Sequence, residues 1–288
     1  MKKIAIFGSR HKSEQGASIK ALILKLEEAG TPLYIERKFL SFLEQDLDFH
    51  PAICGVIDTL PEHIDYVICM GGDGTFLRTA HQIGVSQIPV LGVNTGRLGF
   101  LTDVDCHEAS ELITRLLDGD FTIETRSLLE VTEDNGSSPS YALNEAAILK
   151  RETGSMIRVN AYLNDDYLAA YDADGLVVAT PSGSTAYSLS GNGPIIMPAC
   201  RNFVLTPIAP HSLNMRPLVV PDDTAIRLEV DSRSRNYLLV LDGRTRTLPC
   251  DTSILLKRAP HTLRMIRLRP HSFAETLRRK LMWGAAVR

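Results

Sequence analysis

The feature that most constrains this chain is a change of pattern near residue 122. Before it, short apolar runs alternate with amphipathic stretches. Residues 3–7 (KIAIF), 33–35 (LYI), 65–70 (DYVICM) and 88–93 (IPVLGV) read as buried strands. Residues 17–29, 76–83 and 107–118 place apolar side chains near helical spacing, and Gly30 stops the first of these stretches. Uninterrupted apolar strands alternating with amphipathic helices make βαβ units, because helices cover both faces of a parallel sheet. After residue 122 the strand-like runs 128–132, 141–149, 158–163, 166–170, 175–180, 225–230 and 237–241 follow one another. Turn pairs Asn135-Gly136, Asn164-Asp165 and Asp242-Gly243 separate several of them, and helical spacing is scarce. The pattern predicts a Rossmann-like α/β domain with a parallel sheet, then a β-sandwich-like domain. A closing helical stretch carries Phe273, Leu277 and Leu281 on one face.

Composition narrows the class. The 288 residues are 44% hydrophobic and 23% charged, as in ordinary globular domains. No apolar run reaches 18 residues, which argues against a membrane span. The start, MKKIAIFGSR, is too short in apolar residues for a signal-peptide core and reads as a first strand. Five cysteines without a Cys-x-x-Cys pair argue against a disulfide framework or zinc cluster and fit a reducing cytoplasm. Net charge is −3, but residues 262–288 carry +6 and the rest −9. Alone, that basic tail suggests a nucleic-acid or membrane surface.

Four motifs could carry chemistry. Gly71-Gly72-Asp73-Gly74-Thr75 follows a buried strand and precedes a helix. Its glycines permit positive φ and close ligand approach, and the helix N-terminus suits phosphate. Asp73 would repel phosphate unless it binds a metal or takes a proton from an attacking hydroxyl; a plain turn with Asp as helix cap is the simpler reading. Asn94-Thr95-Gly96-Arg97 follows the next strand, so Arg97 either meets a phosphate in the same crevice or faces solvent. Asn144-Glu145 interrupts an apolar run; the pair suits a ribose diol, or one of the two simply faces water. Residues 174–190 (DGLVVATPSGSTAYSLS) run from a strand into a turn of small hydroxyl residues, suited to a nucleotide against the backbone or forming an ordinary turn. The Walker pattern, the Gly-x-Gly-x-x-Gly fingerprint and His-x-x-x-His pairs are all missing.

Taken together, GGDGT at 71–75, NTGRLGFL at 94–101, NE at 144–145 and DGLVVATPSGSTAYSLSGNGP at 174–194 resemble the NAD kinases, in the same order. The resemblance implies transfer of the terminal phosphate of ATP to the adenosine ribose 2′-hydroxyl of NAD, giving NADP. It implies an N-terminal α/β domain (1–122 plus 263–288) and a β-sandwich domain (123–262), both contributing to a cleft, with the C-terminal helix folded back on the first. It implies Mg²⁺ with ATP, no tightly bound organic cofactor, and a homodimer or homotetramer. By position, Asp73 is the expected general base. Gly71, Gly72, Gly74, Thr75, Asn94, Thr95, Gly96 and Arg97 form the expected phosphate loop. Asp73, Gly74, Phe100, Asn144, Glu145, Asp174, Thr185, Ala186, Tyr187 and Ser190 are the expected dinucleotide contacts. Asp242-Gly243 resembles a family turn near the cleft.

Two positions depart from the family pattern. Asp172 stands where an Arg is common, and Gly-Asn-Gly at 191–193 where Ala-Gly-Gly is common; Asn192 tolerates positive φ. The resemblance also turns the basic tail into a docked, charge-compensating helix with no nucleic-acid or membrane partner. Competing readings are a lipid or sphingoid kinase with the same GGDGT loop, and a non-catalytic dinucleotide-binding regulator.

Overall fold

A computed structural model describes residues 2–10, 15–96, 99–102, 104–152, 154–268 and 272–284, apart from the side chains of residues 109–112. The chain divides into two compact units, residues 1–125 with 263–288, and residues 126–262.

In the first unit the elements run β1 (Ile4–Gly8), α1 (Gly16–Glu28), β2 (Leu33–Glu36), α2 (Arg37–Gln45), β3 (Gly55–Ile57), β4 (Tyr66–Met70), α3 (Asp73–Ile83), β5 (Val90–Asn94), β6 (Val104–Asp105) and α4 (Cys106–Asp118). The strands are parallel in the order β5-β4-β1-β2-β3. β1 and β5 are buried along their whole length, so their side chains alternate between two covered faces. Ile19, Leu22, Ile23 and Leu26 of α1 form a buried stripe at helical spacing. Phe39, Leu40, Phe42 and Leu43 do the same for α2, which the sequence reading leaves out with β3. α2 follows β2 without a connecting turn, and its N-cap Glu36 makes no side-chain cap, so no start signal marks it.

The second pattern continues with β7 (Thr122–Glu133), β8 (Ser140–Ala142), β9 (Glu145–Lys150), β10 (Ile157–Leu163), β11 (Asp166–Ala173), β12 (Gly175–Ala179), the short helix α5 (Tyr187–Ser190), β13 (Asn202–Ile208), β14 (Leu218–Pro221), β15 (Ile226–Asp231), β16 (Asn236–Leu241), β17 (Arg244–Pro249) and β18 (Ile254–Arg267). One sheet is antiparallel in the order β14-β13-β12-β9-β16-β17. The other has β11-β10-β15-β18, with β7 on β18 and β8 on β7. Ile148, Leu176, Phe203, Tyr237 and Leu239 from the first meet Val159, Leu228, Ile254 and Leu256 from the second in one core. This is a sandwich, with alternate residues turned inward.

Two hairpins show why the turn pairs read correctly. Asn164 and Asp165 have φ 49° and 68°, and Asp242 and Gly243 have 47° and 80°. Each pair is a two-residue loop, joining Leu163 to Asp166 and Leu241 to Arg244. Asn192 adopts φ 63°, as its residue type suggests. β13, β14, β17 and β18 escape the sequence reading. β18 carries Lys257, Arg258, Pro260 and His261 in its middle, which hides its alternation.

β18 leaves the second unit at Thr262 and returns the chain to the first, where Met265 pairs with Val90 in parallel. The last helix of the described residues, α6 (Phe273–Leu281), belongs to the first unit. Ser272 accepts from the Glu275 amide, a capping pattern, and Arg278, Arg279 and Lys280 occupy the last turn, where the helix dipole favours cations.

Candidate functional sites in the two units

In the first unit the chain proceeds outward from β1 through β2 to β3, then returns to the other side of β1 with β4. Neighbouring strands whose connections leave in opposite directions open a crevice at their carboxyl ends, the usual ligand site of such sheets. Here those ends are Gly8-Ser9-Arg10 and Met70-Gly71-Gly72. A cavity of about 540 Å³ lies there, lined by Ser9, Arg10, Lys38, Thr75 and Arg78 among others. Arg10, Lys38 and Arg78 bring positive charge to it, with Arg10 also paired to Asp46 at 2.9 Å and Glu36 on the same lining. Sequence reasoning missed Arg10, Lys38 and Arg78; the position of Arg10 just after the first strand was the available signal.

The GGDGT segment does not use positive φ. Gly72 is extended (φ −90°, ψ −176°) and serves as N-cap of α3, and Gly71 and Gly74 are not among the positive-φ glycines. Gly72 and Gly74 border open space, so their missing side chains leave room rather than enable a turn. The helix dictates this, because the Thr75 and Phe76 amides both donate to the Gly72 carbonyl. Thr75 is buried, and Arg78 donates to its hydroxyl at 3.4 Å.

Asp73 is the first residue of α3 but does not cap it. Its Oδ2 accepts from the Phe100 amide at 2.8 Å, and its Oδ1 from the Leu101 and Thr102 amides at 3.0 and 3.2 Å. The Thr102 hydroxyl donates to Oδ1 at 3.3 Å and Lys280 Nζ to Oδ2 at 3.2 Å. The carboxylate thus organises the 99–102 turn. A Cβ on Gly99 would collide with it, so that turn requires glycine. Asn94 and Thr95 are buried at the end of β5, where Asn94 Oδ1 accepts from the Gly96 amide at 2.7 Å. Arg97 lies outside the described residues. Phe100 is buried, with its ring 6.4 Å from that of Phe273.

In the second unit, the expected single strand 141–149 is two strands broken at Leu143-Asn144. The cause is Asp242 in the β16–β17 hairpin. Its carboxylate accepts from three successive amides, Leu143 (2.7 Å), Asn144 (2.8 Å) and Glu145 (3.2 Å). Those amides therefore leave the ladder. From the other side, the Thr180 amide donates to the Asn144 carbonyl at 2.9 Å. Gly183 lies so close to that carbonyl that a Cβ would collide with it. Sequence reasoning took Asp242-Gly243 as a turn and did not see that its carboxylate shapes the Asn-Glu segment.

Two acceptors in this segment are buried without a hydrogen-bond partner, Asn144 Oδ1 and Glu145 Oε2. Unmet buried acceptors are costly, and a ligand that donates to them recovers the loss. Burial, with the charge of Asp242 added, pushes the Glu145 carboxyl up to about 7, against a hydrogen bond from the Tyr187 amide. Asp242 is raised by burial too, opposed by the three amides and Arg244.

Between about pH 4.5 and 7 the native state therefore holds a proton on Glu145 that the unfolded chain has lost. The native state binds more protons there, so stability falls as pH rises through that window, by roughly 3 kcal/mol in full. Glu145→Gln cannot titrate and should show a flatter profile. Urea unfolding of both proteins at pH 5 and pH 8 measures the difference; a wild type that loses no more stability than the variant contradicts the assignment.

The 181–190 loop uses its hydroxyls unequally. Ser184 Oγ donates to Pro181 O and accepts from the Ile196 amide, and Ser188 pairs with Thr206. These hold the loop. Tyr187 and Ser190 are exposed, and Thr185 and Ala186 just before them are half-buried. Arg126, buried below, donates to Ser182 at 3.1 Å. The structure thus brings Asn144, Glu145 and the start of this loop together, since Glu145 is the register partner of Ala179. Asp174 is not with them. It precedes the opposite end of β12, about 16 Å away at strand rise, and pairs with Lys150 at 2.6 Å. Asp172 forms a bidentate pair with its cross-strand neighbour Arg158, at 2.7 and 2.9 Å.

Comparison with known proteins follows the same division. A family model described as the ATP-NAD kinase N-terminal domain matches residues 32–121, and one described as the ATP-NAD kinase C-terminal domain matches residues 143–268. The NAD kinase of Porphyromonas gingivalis (strain ATCC BAA-308 / W83) is 99% identical over 288 residues, which cover 100% of both chains. Yeast NADH kinase, solved in complex with NADH, superposes with a TM-score of 0.87 at 24% identity, over 100% of this chain and 89% of that one. An NAD kinase from Archaeoglobus fulgidus, solved in complex with ATP, superposes with a TM-score of 0.74 at 22% identity, over 96% and 98%. At these identities the two structures speak for the fold.

Proposed function

The chain belongs to the NAD kinase family, and from that premise we propose that it transfers the terminal phosphate of ATP to the adenosine ribose 2′-hydroxyl of NAD with the two units taking separate parts. The observation that carries this reading is the pair of buried, unpartnered acceptors Asn144 Oδ1 and Glu145 Oε2. Vicinal ribose hydroxyls are donors of the right number for them. Tyr187 supports the reading with an exposed aromatic face beside the loop.

The first unit supplies the transfer chemistry. A ribose hydroxyl is a weak nucleophile at neutral pH, and Asp73 takes its proton as the new P–O bond forms. The proton moves to the carboxylate, and ADP leaves with the broken P–O bond's electron pair. Gly72 and Gly74 leave open space where phosphate oxygens would meet backbone amides, Asn94 and Thr95 stand at the end of the neighbouring strand β5, and Arg10, Lys38 and Arg78 line the cavity at the carboxyl ends of β1 and β4. Alignment and charge neutralisation are the main contributions a protein makes to phosphoryl transfer. Mg²⁺ would enter as a companion of ATP held by phosphate oxygens, since Arg10, Lys38 and Arg78 cannot ligate a cation. Among the described residues no three His, Cys, Asp or Glu side chains converge on one point. Bound to the phosphates, it supplies charge neutralisation.

On the family resemblance we also read the enzyme as a cytoplasmic homodimer or homotetramer. Purified protein given ATP, Mg²⁺ and NAD should form NADP, detected with an NADP-specific dehydrogenase. Well-folded protein that binds NAD and forms no NADP would be a dinucleotide-binding regulator, and phosphorylation of a lipid instead of NAD would also defeat the proposal.

A further inference from the structure

Lys280, in the last turn of α6, sends its ammonium into the phosphate loop. Its Nζ lies 3.2 Å from Asp73 Oδ2 and 4.4 Å from the centre of the Phe100 ring. The helix that carries it is anchored. Ser272 caps it, Thr276 is buried, and Phe273 packs on Phe100. A cation over an aromatic face is itself held there. So the terminal helix rests on the same 99–102 turn that Asp73 organises.

Five donors converge on the Asp73 carboxylate, which offers about four lone-pair directions. Four come from residues 100–102 and are neutral. Lys280 is the cation that touches it among the described residues. This bears on a difficulty inherent in the motif. A proton acceptor must be anionic, yet this one stands in a loop that receives a polyphosphate. Like charges a few ångströms apart in a partly buried site repel strongly. A lysine on the carboxylate cancels that repulsion towards the incoming donor and leaves the carboxylate in place.

We propose that Lys280 is the counter-ion of Asp73 in the working enzyme, a positioning residue supplied by the C-terminal helix that lets an anionic carboxylate stand in a polyphosphate site. This rests on the reading of Asp73 as proton acceptor. It also gives one charge of the basic tail a purpose, as Arg267 of the same tail pairs instead with Glu124.

The test is steady-state kinetics of full-length Lys280→Met, Lys280→Arg, Asp73→Asn and the Lys280→Met/Asp73→Asn double variant, with Mg-ATP and NAD titrated separately. Lys280→Met should lower kcat/KM for ATP by about tenfold, mostly through the KM for ATP, and leave the KM for NAD within about twofold. Lys280→Arg should recover to within about threefold, because the charge is kept. With Asp73→Asn already present, Lys280→Met should cost less than about twofold, because a neutral amide needs no counter-ion. The proposal is overturned if Lys280→Met costs the same factor in both backgrounds, if Lys280→Arg is as impaired as Lys280→Met, or if the KM for ATP does not move. Near-normal turnover by Asp73→Asn defeats the Asp73 reading instead.

Discussion

Asp73→Asn should lose at least ~10²-fold in turnover, the scale of a lost general base, while still binding NAD. Asparagine matches the shape of aspartate but not its chemistry. It cannot take a proton from the ribose hydroxyl. It also replaces Oδ2 or Oδ1 with an NH₂ group, so a donor faces a donor. In one orientation the amide confronts the Phe100 N–H and Lys280; in the other it confronts the Leu101 and Thr102 amides. Both faults act in the first unit, while Asn144, Glu145 and the 181–190 loop lie in the second. NAD affinity should therefore survive better than turnover. NADP formation read by a coupled dehydrogenase, beside NAD binding by calorimetry, checks both halves. Retained turnover would remove Asp73 from the proton-transfer role.

Asp242→Ala should strongly destabilise the second unit. The carboxylate serves three consecutive amides at 2.7, 2.8 and 3.2 Å, where the strand has been broken. Those N–H groups have left the ladder, so nothing in the sheet takes over when the side chain is cut back. Each buried donor left unmet costs about 1–3 kcal/mol, and partial rehydration brings the total to roughly 3–5 kcal/mol. Urea unfolding measures it. The local consequence should be as informative. Without the carboxylate nothing fixes the backbone of residues 143–145, so the two unpartnered acceptors lose their present positions. NAD affinity should fall along with stability. A loss below about 1 kcal/mol, with unchanged NAD affinity, would show that the three amides find other partners and that Asp242 does not hold the site.

The two halves of the fold were legible for different reasons. Residues 66–70 and 88–93 carry no charged side chain, as a short strand covered on both faces requires. Asn164-Asp165 and Asp242-Gly243 marked hairpins because both positions of such a turn need positive φ. α2 was not legible, since it starts without a cap. β18 was not legible either, since charged and proline residues interrupt its period. The 141–149 run misled because its break is imposed by a side chain 98 residues further on, in the bond from the Asn144 amide to Asp242.

The same division holds at the sites. Asn144-Glu145 attracted notice as a polar pair in an apolar run, and the structure leaves an acceptor on each unpartnered and buried. GGDGT was visible as a strand-to-helix junction, but Gly72 and Gly74 leave open space, Gly71 permits close approach to Thr75 and Ser9, and none uses positive φ. Asp174 stands in the same continuous motif as Tyr187, yet an extended strand carries it to the far end of the sheet.

By itself, then, the sequence determined the class of each half, the order of the motifs and the chemical types available at them. These depend on periodicity and turn preference, which act over neighbours a few residues apart. Tertiary structure decided what each functional side chain does. Asp73 joins the 100–102 turn and a lysine 207 residues away; Asp242 breaks a strand it does not belong to. A carboxylate's role is set by which donors and charges surround it, and those neighbours are brought together only when the sheets and the terminal helix pack.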